Sequence, residues 1–110
     1  PLHSSAASDV YKRQTYDLAV EFYQLCEGLR LPRHLRDQLN RAASSVALNL
    51  AEGAGRATSK DQRKYFTIAM GSLRESQAVL DLSVPKGHAA AQSADKLGAH
   101  LYKLIQAVSD

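Results

Sequence analysis

The stretch Asp37-Gln38-Leu39-Asn40-Arg41-Ala42-Ala43-Ser44-Ser45-Val46-Ala47-Leu48-Asn49-Leu50-Ala51-Glu52-Gly53 decides the fold. Leu39, Ala42, Ala43, Val46, Asn49 and Leu50 recur with the period of a helix that buries one face. Much of that face is small. Large side chains hold helices apart, whereas Ala and Ser admit a close neighbour, and a Ser or Asn buried in the contact needs a partner across it. A second segment, Ile68-Ala69-Met70-Gly71-Ser72-Leu73-Arg74-Glu75, has the matching character. The two predict a tight helix pair with a polar seam made of Ser45, Asn49, Glu52, Gly71, Ser72 and Glu75.

Outward from this pair the pattern stays helical. Leu35 and Leu39 carry the same stripe back to Pro32 or Arg33, and proline suits a first helical position. Gly53-Ala54-Gly55 stops the helix. On its outer surface, Arg33–Asp37 and Asp37–Arg41 have the spacing of ion pairs worth a few tenths of a kcal/mol each. Upstream, Leu18, Phe22, Leu25, Cys26 and Leu29 share one face of a helix expected from Tyr16 to Gly28, with Thr15 as N-cap and Asp17 in its first turn. Downstream, Ser59-Lys60-Asp61-Gln62 has the capping-box pattern of Ser followed by Gln. The helix it opens reaches Leu82 or Ser83, with Phe66, Ala69, Leu73, Ser76, Val79 and Leu80 inward, and Pro85-Lys86-Gly87 breaks it. Ala90, Ala94, Leu97, Leu101, Leu104 and Val108 form a heptad-like seam on a last helix from Ala89 to Val108. Gly98 weakens that helix by up to about 1 kcal/mol relative to Ala. Short connections make sequential helices antiparallel neighbours. The expected fold is all-α, an antiparallel up-down four-helix bundle over residues 15–110.

The first fourteen residues fit this scheme least. They lack sustained periodicity, and Ser8-Asp9-Val10-Tyr11-Lys12-Arg13-Gln14 resembles translated sequencing-adapter sequence. Residues 1–14 are read as a disordered tail or a translated-adapter artefact, with part able to extend the first helix.

A chain of 110 residues supplies one domain, and 45% hydrophobic content supplies a core. With no Trp and only two Phe, that core is built from Leu, Ala, Val and Tyr. A bundle this small is marginal alone, which favours oligomerisation. One cysteine forms no internal disulfide and fits a reducing compartment. No apolar run is long enough to span a bilayer and no signal peptide is recognisable, so a cytoplasmic protein is expected.

Charge is unevenly placed. The net charge is +3, yet nine basic residues against three acidic ones between Arg30 and Arg74 leave that block at +6. Arg33, Arg36, Arg41, Arg56, Lys60, Arg63, Lys64 and Arg74 are the RNA-binding candidates, because arginine forks onto phosphate oxygens and cationic groups release counterions from a phosphate backbone. The competing reading is a solvated helix face that keeps the protein soluble. No motif for base-specific reading is present.

Asn49-Leu50-Ala51-Glu52-Gly53, the segment Leu39–Gly53 that contains it, and Ile68–Glu75 carry a family resemblance. Over about Tyr16 to Leu82 the chain resembles the small four-helix-bundle proteins encoded within intervening sequences of bacterial 23S rRNA. It is also similar to the accessory variability determinant proteins of diversity-generating retroelements. The resemblance implies a bacterial four-helix bundle, a ring-like homo-oligomer, often of five subunits, and RNA or a ribonucleoprotein such as a reverse transcriptase as partner. Ala47 stands where members often carry Pro, which implies a straighter second helix here.

The sequence offers little for catalysis. Glu52 and Glu75 could form a carboxylate pair for acid–base work, but a role in the seam, with Arg41 or Arg74 as counter-charge, accounts for both. His34, His88 and His100 lack metal-site spacing, and neither a metal nor a cofactor is expected. Cys26 lies on an apolar stripe, Gly53-Ala54-Gly55 is a poor phosphate loop, and Ser44-Ser45 lacks a nucleophile context. Tyr65 and Phe66 suit core or edge positions, with RNA stacking by Tyr65 as the rival. The expected function is a non-enzymatic RNA- or nucleoprotein-associated accessory scaffold holding phosphate on a basic face. The alternative is a protein–protein interaction module with no nucleic-acid role, and a small hydrolase using Glu52 and Glu75 ranks third.

Overall fold

The computed structural model describes the backbone over residues 5–108 and the side chains over residues 9–108. It contains four helices: α1 (Ser5–Glu27), α2 (Arg33–Ala54), α3 (Ser59–Ser83) and α4 (Ala89–Ala107). No strand occurs among the described residues. Each helix packs on two others, α1 on α2 and α4, and α3 on α2 and α4. The assembly measures 43 × 22 × 17 Å, the proportions of a bundle.

The inward stripes follow the hydrophobic period closely. Leu39, Ala42, Ala43, Val46 and Leu50 of α2 are buried, and so are all six inward positions expected of α3. In α4, Gly98 joins Ala90, Ala94, Leu97, Leu101 and Leu104 in the interior, and Val108 just beyond is also buried. Phe22 and Cys26 bury from α1, whereas Leu18, Leu25 and Leu29 only edge the core.

Helix ends show why the elements start where they do. The Pro32 carbonyl accepts from the Leu35 and Arg36 amides at 3.0 and 2.9 Å, and α2 starts without a side-chain cap. The cap of α3 is Thr58, one residue before the expected Ser59. Its hydroxyl accepts from the Asp61 amide at 3.1 Å. Gln62 serves the same end differently, donating to the Arg56 carbonyl at 3.0 Å and tying the loop down. His88 caps α4, with Nδ1 accepting from the Ala90 amide at 3.0 Å.

The first helix departs most from expectation. It begins at Ser5, not near Tyr16, so residues 5–14 lie in α1. Positions 1–4, the start of the expected tail, fall outside the described residues. Thr15 is not an N-cap but a buried interior residue, its hydroxyl donating to the Tyr11 carbonyl at 2.9 Å. That local bond satisfies the hydroxyl without ending the helix.

Candidate nucleic-acid interface

Side-chain contacts fix how α2, α3 and α4 register. Ser45 Oγ and Ser72 Oγ share a hydrogen bond of 2.8 Å. Two turns further along α2, a Cβ at Gly53 would meet Phe66 Cε1 at 2.7 Å. Rising numbers on α2 thus meet falling numbers on α3. Across the next groove Gly98 lies under Leu73 and Arg74, and Gln77 reaches Asp95, again in opposite senses.

The polar seam exists but is shorter than expected. Asn49 Nδ2 donates to the Ser45 carbonyl at 2.9 Å and to Ser45 Oγ at 3.0 Å. Ser76 Oγ donates to the Ser72 carbonyl at 2.9 Å and is fully buried, so it extends the polar cluster inward. Gly71, Glu52 and Glu75 do not join. Gly71 is exposed, with nothing within 4 Å of where a Cβ would stand. The residue that lets the helices close up is Gly53, against Phe66 and Tyr65. Glu52 is exposed and pairs with Arg56 at 2.9 Å. Glu75 is exposed and, in the register set by Ser45 and Ser72, faces the Ala42 turn, roughly 15 Å along the seam from Glu52. The two carboxylates are too far apart to share a proton or flank a substrate bond.

All eight cationic candidates are exposed, but they form no single sheet of charge. Arg33 and Arg36 lie at the start of α2 and share Asp37, each at 3.9 Å, while Arg41 does not pair with it. Arg56 sits at the other end of α2, roughly 30 Å away at 1.5 Å per residue. There it donates to Tyr65 Oη at 2.8 Å, with its guanidinium carbon 4.7 Å from the ring centre. Lys64 Nζ lies 5.7 Å from the same centre. Two cations against its ring give Tyr65 a structural role in the α2–α3 turn and leave little of it for a base. Arg74 faces the α3–α4 groove, where it donates to Gln77 Oε1 at 2.7 Å. Its angular position on α3 therefore separates it from the α2 cations. Arg41, Lys60, Arg63, Lys64 and Arg74 have no carboxylate within 4 Å among the described residues.

The remaining titratable candidates are apart from one another. His34 is exposed at the start of α2, and His88 is spent as a cap. His100 stacks on Tyr11 with ring centres 5.1 Å apart, and its buried Nδ1 has no hydrogen-bond partner among the described residues. Burial, with Lys96 and Lys103 adding to it, pushes the His100 pKa below its ordinary value. Burial pushes the Cys26 thiol up to about 12, which keeps it protonated and inert. No group of His, Cys, Asp and Glu able to hold a metal occurs among the described residues. No helix among the described residues is long and apolar enough to cross a membrane.

Sequence reading missed Gln77, Tyr102 and Lys103, which line the groove with Arg74. They are polar or amphipathic residues outside the buried stripes, and only the register of α3 on α4 brings them together.

Comparison with curated proteins and with solved structures returned no match. The sequence model of one protein family, the 23S rRNA-intervening sequence protein, matches residues 7–109. The chain belongs to that family.

Proposed function

We propose that this member of the 23S rRNA-intervening sequence protein family is a non-enzymatic accessory scaffold that binds the phosphate backbone of RNA. One observation carries the reading. Helix α3 presents Lys60, Arg63, Lys64 and Arg74 to solvent with no carboxylate within 4 Å among the described residues. A protein that needed charge only for solubility would gain by pairing such groups with acids along the helix. Cations left without acids suit an anionic partner and a counterion-release mode of binding. The family name supports RNA or a ribonucleoprotein, such as one containing a reverse transcriptase, as that partner. Cytoplasmic residence fits the buried free thiol of Cys26.

The bundle in this proposal is up-down throughout, the opposed registers of α2 on α3 and α3 on α4 being repeated by α1. Its copies assemble into a ring-like homo-oligomer, with five subunits as the expected number. Exposed apolar side chains support association: Leu48 is 68% exposed, Ile68 43% and Leu82 76%. The same side chains favour the second reading, a protein–protein module without RNA.

A titration with single-stranded RNA at several salt concentrations tests the proposal. The logarithm of the binding constant should fall linearly with that of salt concentration, by about 0.7 per phosphate contacted. Replacing Arg36, Arg41, Arg63 and Lys64 together by Ala should weaken binding and flatten that slope. An unchanged affinity in this variant removes the α2–α3 surface as the RNA site, and a wild type that binds no RNA leaves the protein-binding reading. Light scattering on the nucleic-acid-free protein gives the subunit number, and a monomer at micromolar concentration would remove the ring.

A further inference from the structure

We propose that the groove between α3 and α4 is a binding site for one nucleotide unit, with Arg74 taking the phosphate and Tyr102 stacking on the base. The proposal rests on the RNA-binding reading above and deepens it by naming the surface and the contacts.

The groove encloses about 400 Å³ and is lined by Arg74, Gln77, Asp95, Gly98, Tyr102 and Lys103, among others. It exists because Gly98 is buried at the α3–α4 contact and has no side chain to fill the space beside Arg74. The guanidinium is held in place. Arg74 Nη1 donates to Gln77 Oε1 at 2.7 Å, and Gln77 Nε2 donates to Asp95 Oδ1 at 3.3 Å. Asp95 thus orients the arginine through Gln77 and does not neutralise it directly. The remaining N–H groups of Arg74 are available to a phosphate as a fork. Lys103 adds a second positive charge on the α4 side.

Tyr102 supplies the other half of the site. It is 58% exposed, its hydroxyl accepts from Gln106 Nε2 at 3.0 Å, and no cation among the described residues lies against its ring. This contrasts with Tyr65, whose ring is already engaged. A free aromatic ring beside a fixed arginine matches the way single-stranded nucleic acids are held, by stacking plus backbone charge without base-specific hydrogen bonds. Arg63 lies about three turns back along the same face of α3, which prolongs the line of charge past one nucleotide.

Two probes test this, a short unstructured RNA oligomer followed by anisotropy and adenosine monophosphate followed by amide NMR shifts. Arg74 and Tyr102 are exposed, and circular dichroism checks that each variant folds. The RNA should bind the wild type. Tyr102→Ala should weaken it roughly ten-fold or more, and Tyr102→Phe should restore most of the loss, because stacking needs the ring and not the hydroxyl. Arg74→Ala should weaken binding and lower the salt slope by about 0.7. Arg74→Lys should keep the slope and recover only part of the affinity. The monophosphate should shift the Gly98 and Tyr102 amides.

RNA binding indifferent to both Arg74→Ala and Tyr102→Ala overturns the groove site and leaves the general RNA reading intact. Monophosphate shifts at Gly98 and Tyr102 without RNA binding support the groove, make a free nucleotide its ligand, and overturn the RNA reading. Absence of binding by both probes overturns both.

Discussion

The three helix-interior glycines provide a test of the packing, because the structure assigns each a different surrounding. At Gly71 an added Cβ meets nothing within 4 Å, so Gly71→Ala should simply recover helix propensity, about 0.8–1 kcal/mol. At Gly98 the Cβ would lie 3.5 Å from Leu73 Cδ2 and 3.8 Å from Arg74 Nη1, which is ordinary contact. Gly98→Ala should gain a similar amount. At Gly53 the Cβ would fall 2.7 and 2.9 Å from two Phe66 ring carbons and 3.0 Å from Tyr65 Cβ. Carbon atoms prefer about 3.5–4.0 Å, so the overlap approaches 1 Å. Phe66 is fully buried and its ring cannot swing into solvent. Overpacking of this kind costs about 1–3 kcal/mol. Against a propensity gain of at most about 1 kcal/mol, Gly53→Ala should be net destabilising by up to about 2 kcal/mol.

Urea and thermal unfolding followed by circular dichroism measure all three. In a domain this size 1 kcal/mol moves Tm by roughly 4–8 °C, so Gly71→Ala and Gly53→Ala should move it in opposite directions. The Phe66→Leu background supplies the control. There the ring is gone, Gly53→Ala should lose most of its penalty while the approach to Tyr65 Cβ remains, and the coupling energy of the cycle isolates the Phe66 contact. A Gly53→Ala protein as stable as Gly71→Ala would show that α2 and α3 do not approach closely at Gly53, and the tight-pair reading would fail with it.

Further expectations concern caps, the seam and titration. Thr58→Ala should cost about 1 kcal/mol while Ser59→Ala costs little, which separates the observed cap from the expected one. Ser72→Ala leaves Ser45 without its partner across the seam and should cost about 1 kcal/mol, whereas the Ser45→Ala/Ser72→Ala pair should cost less than the sum of the singles. His100 has its pKa lowered in the folded state, so the unfolded chain binds the proton more readily. Stability should therefore fall as pH drops through the ordinary histidine value of 6.5 towards the lowered one, and His100→Phe should flatten that part of a Tm-against-pH curve. Cys26, buried with its pKa near 12, should resist a thiol reagent at neutral pH until the protein is unfolded in urea.

Local signals carried much of the architecture. Every inward position read from the period of α3 and α4 is buried, because the helical repeat fixes which residues share a face whatever that face packs on. Gly28, Pro32, Gly55, Pro85 and Gly87 fall between helices, whereas Gly53, Gly71 and Gly98 lie within them. Errors arose where one local signal could serve two ends. Thr15 reads as a cap and is an interior hydroxyl bonded to its own helix. Thr58 and Ser59 are neighbouring hydroxyls, and the backbone chose the first.

The sequence by itself determined the helices, their buried stripes and the excess of positive charge between Arg30 and Arg74. Tertiary structure alone decided how those surfaces combine. It placed Gly53 at the close contact and left Gly71 open, moved Glu52 and Glu75 apart, turned Arg74 toward α4, and set Tyr102 beside it. The physical reason is register. Periodicity gives the angle of each residue about its own axis, but the relative slide and rotation of two helices come from how side chains on both interlock.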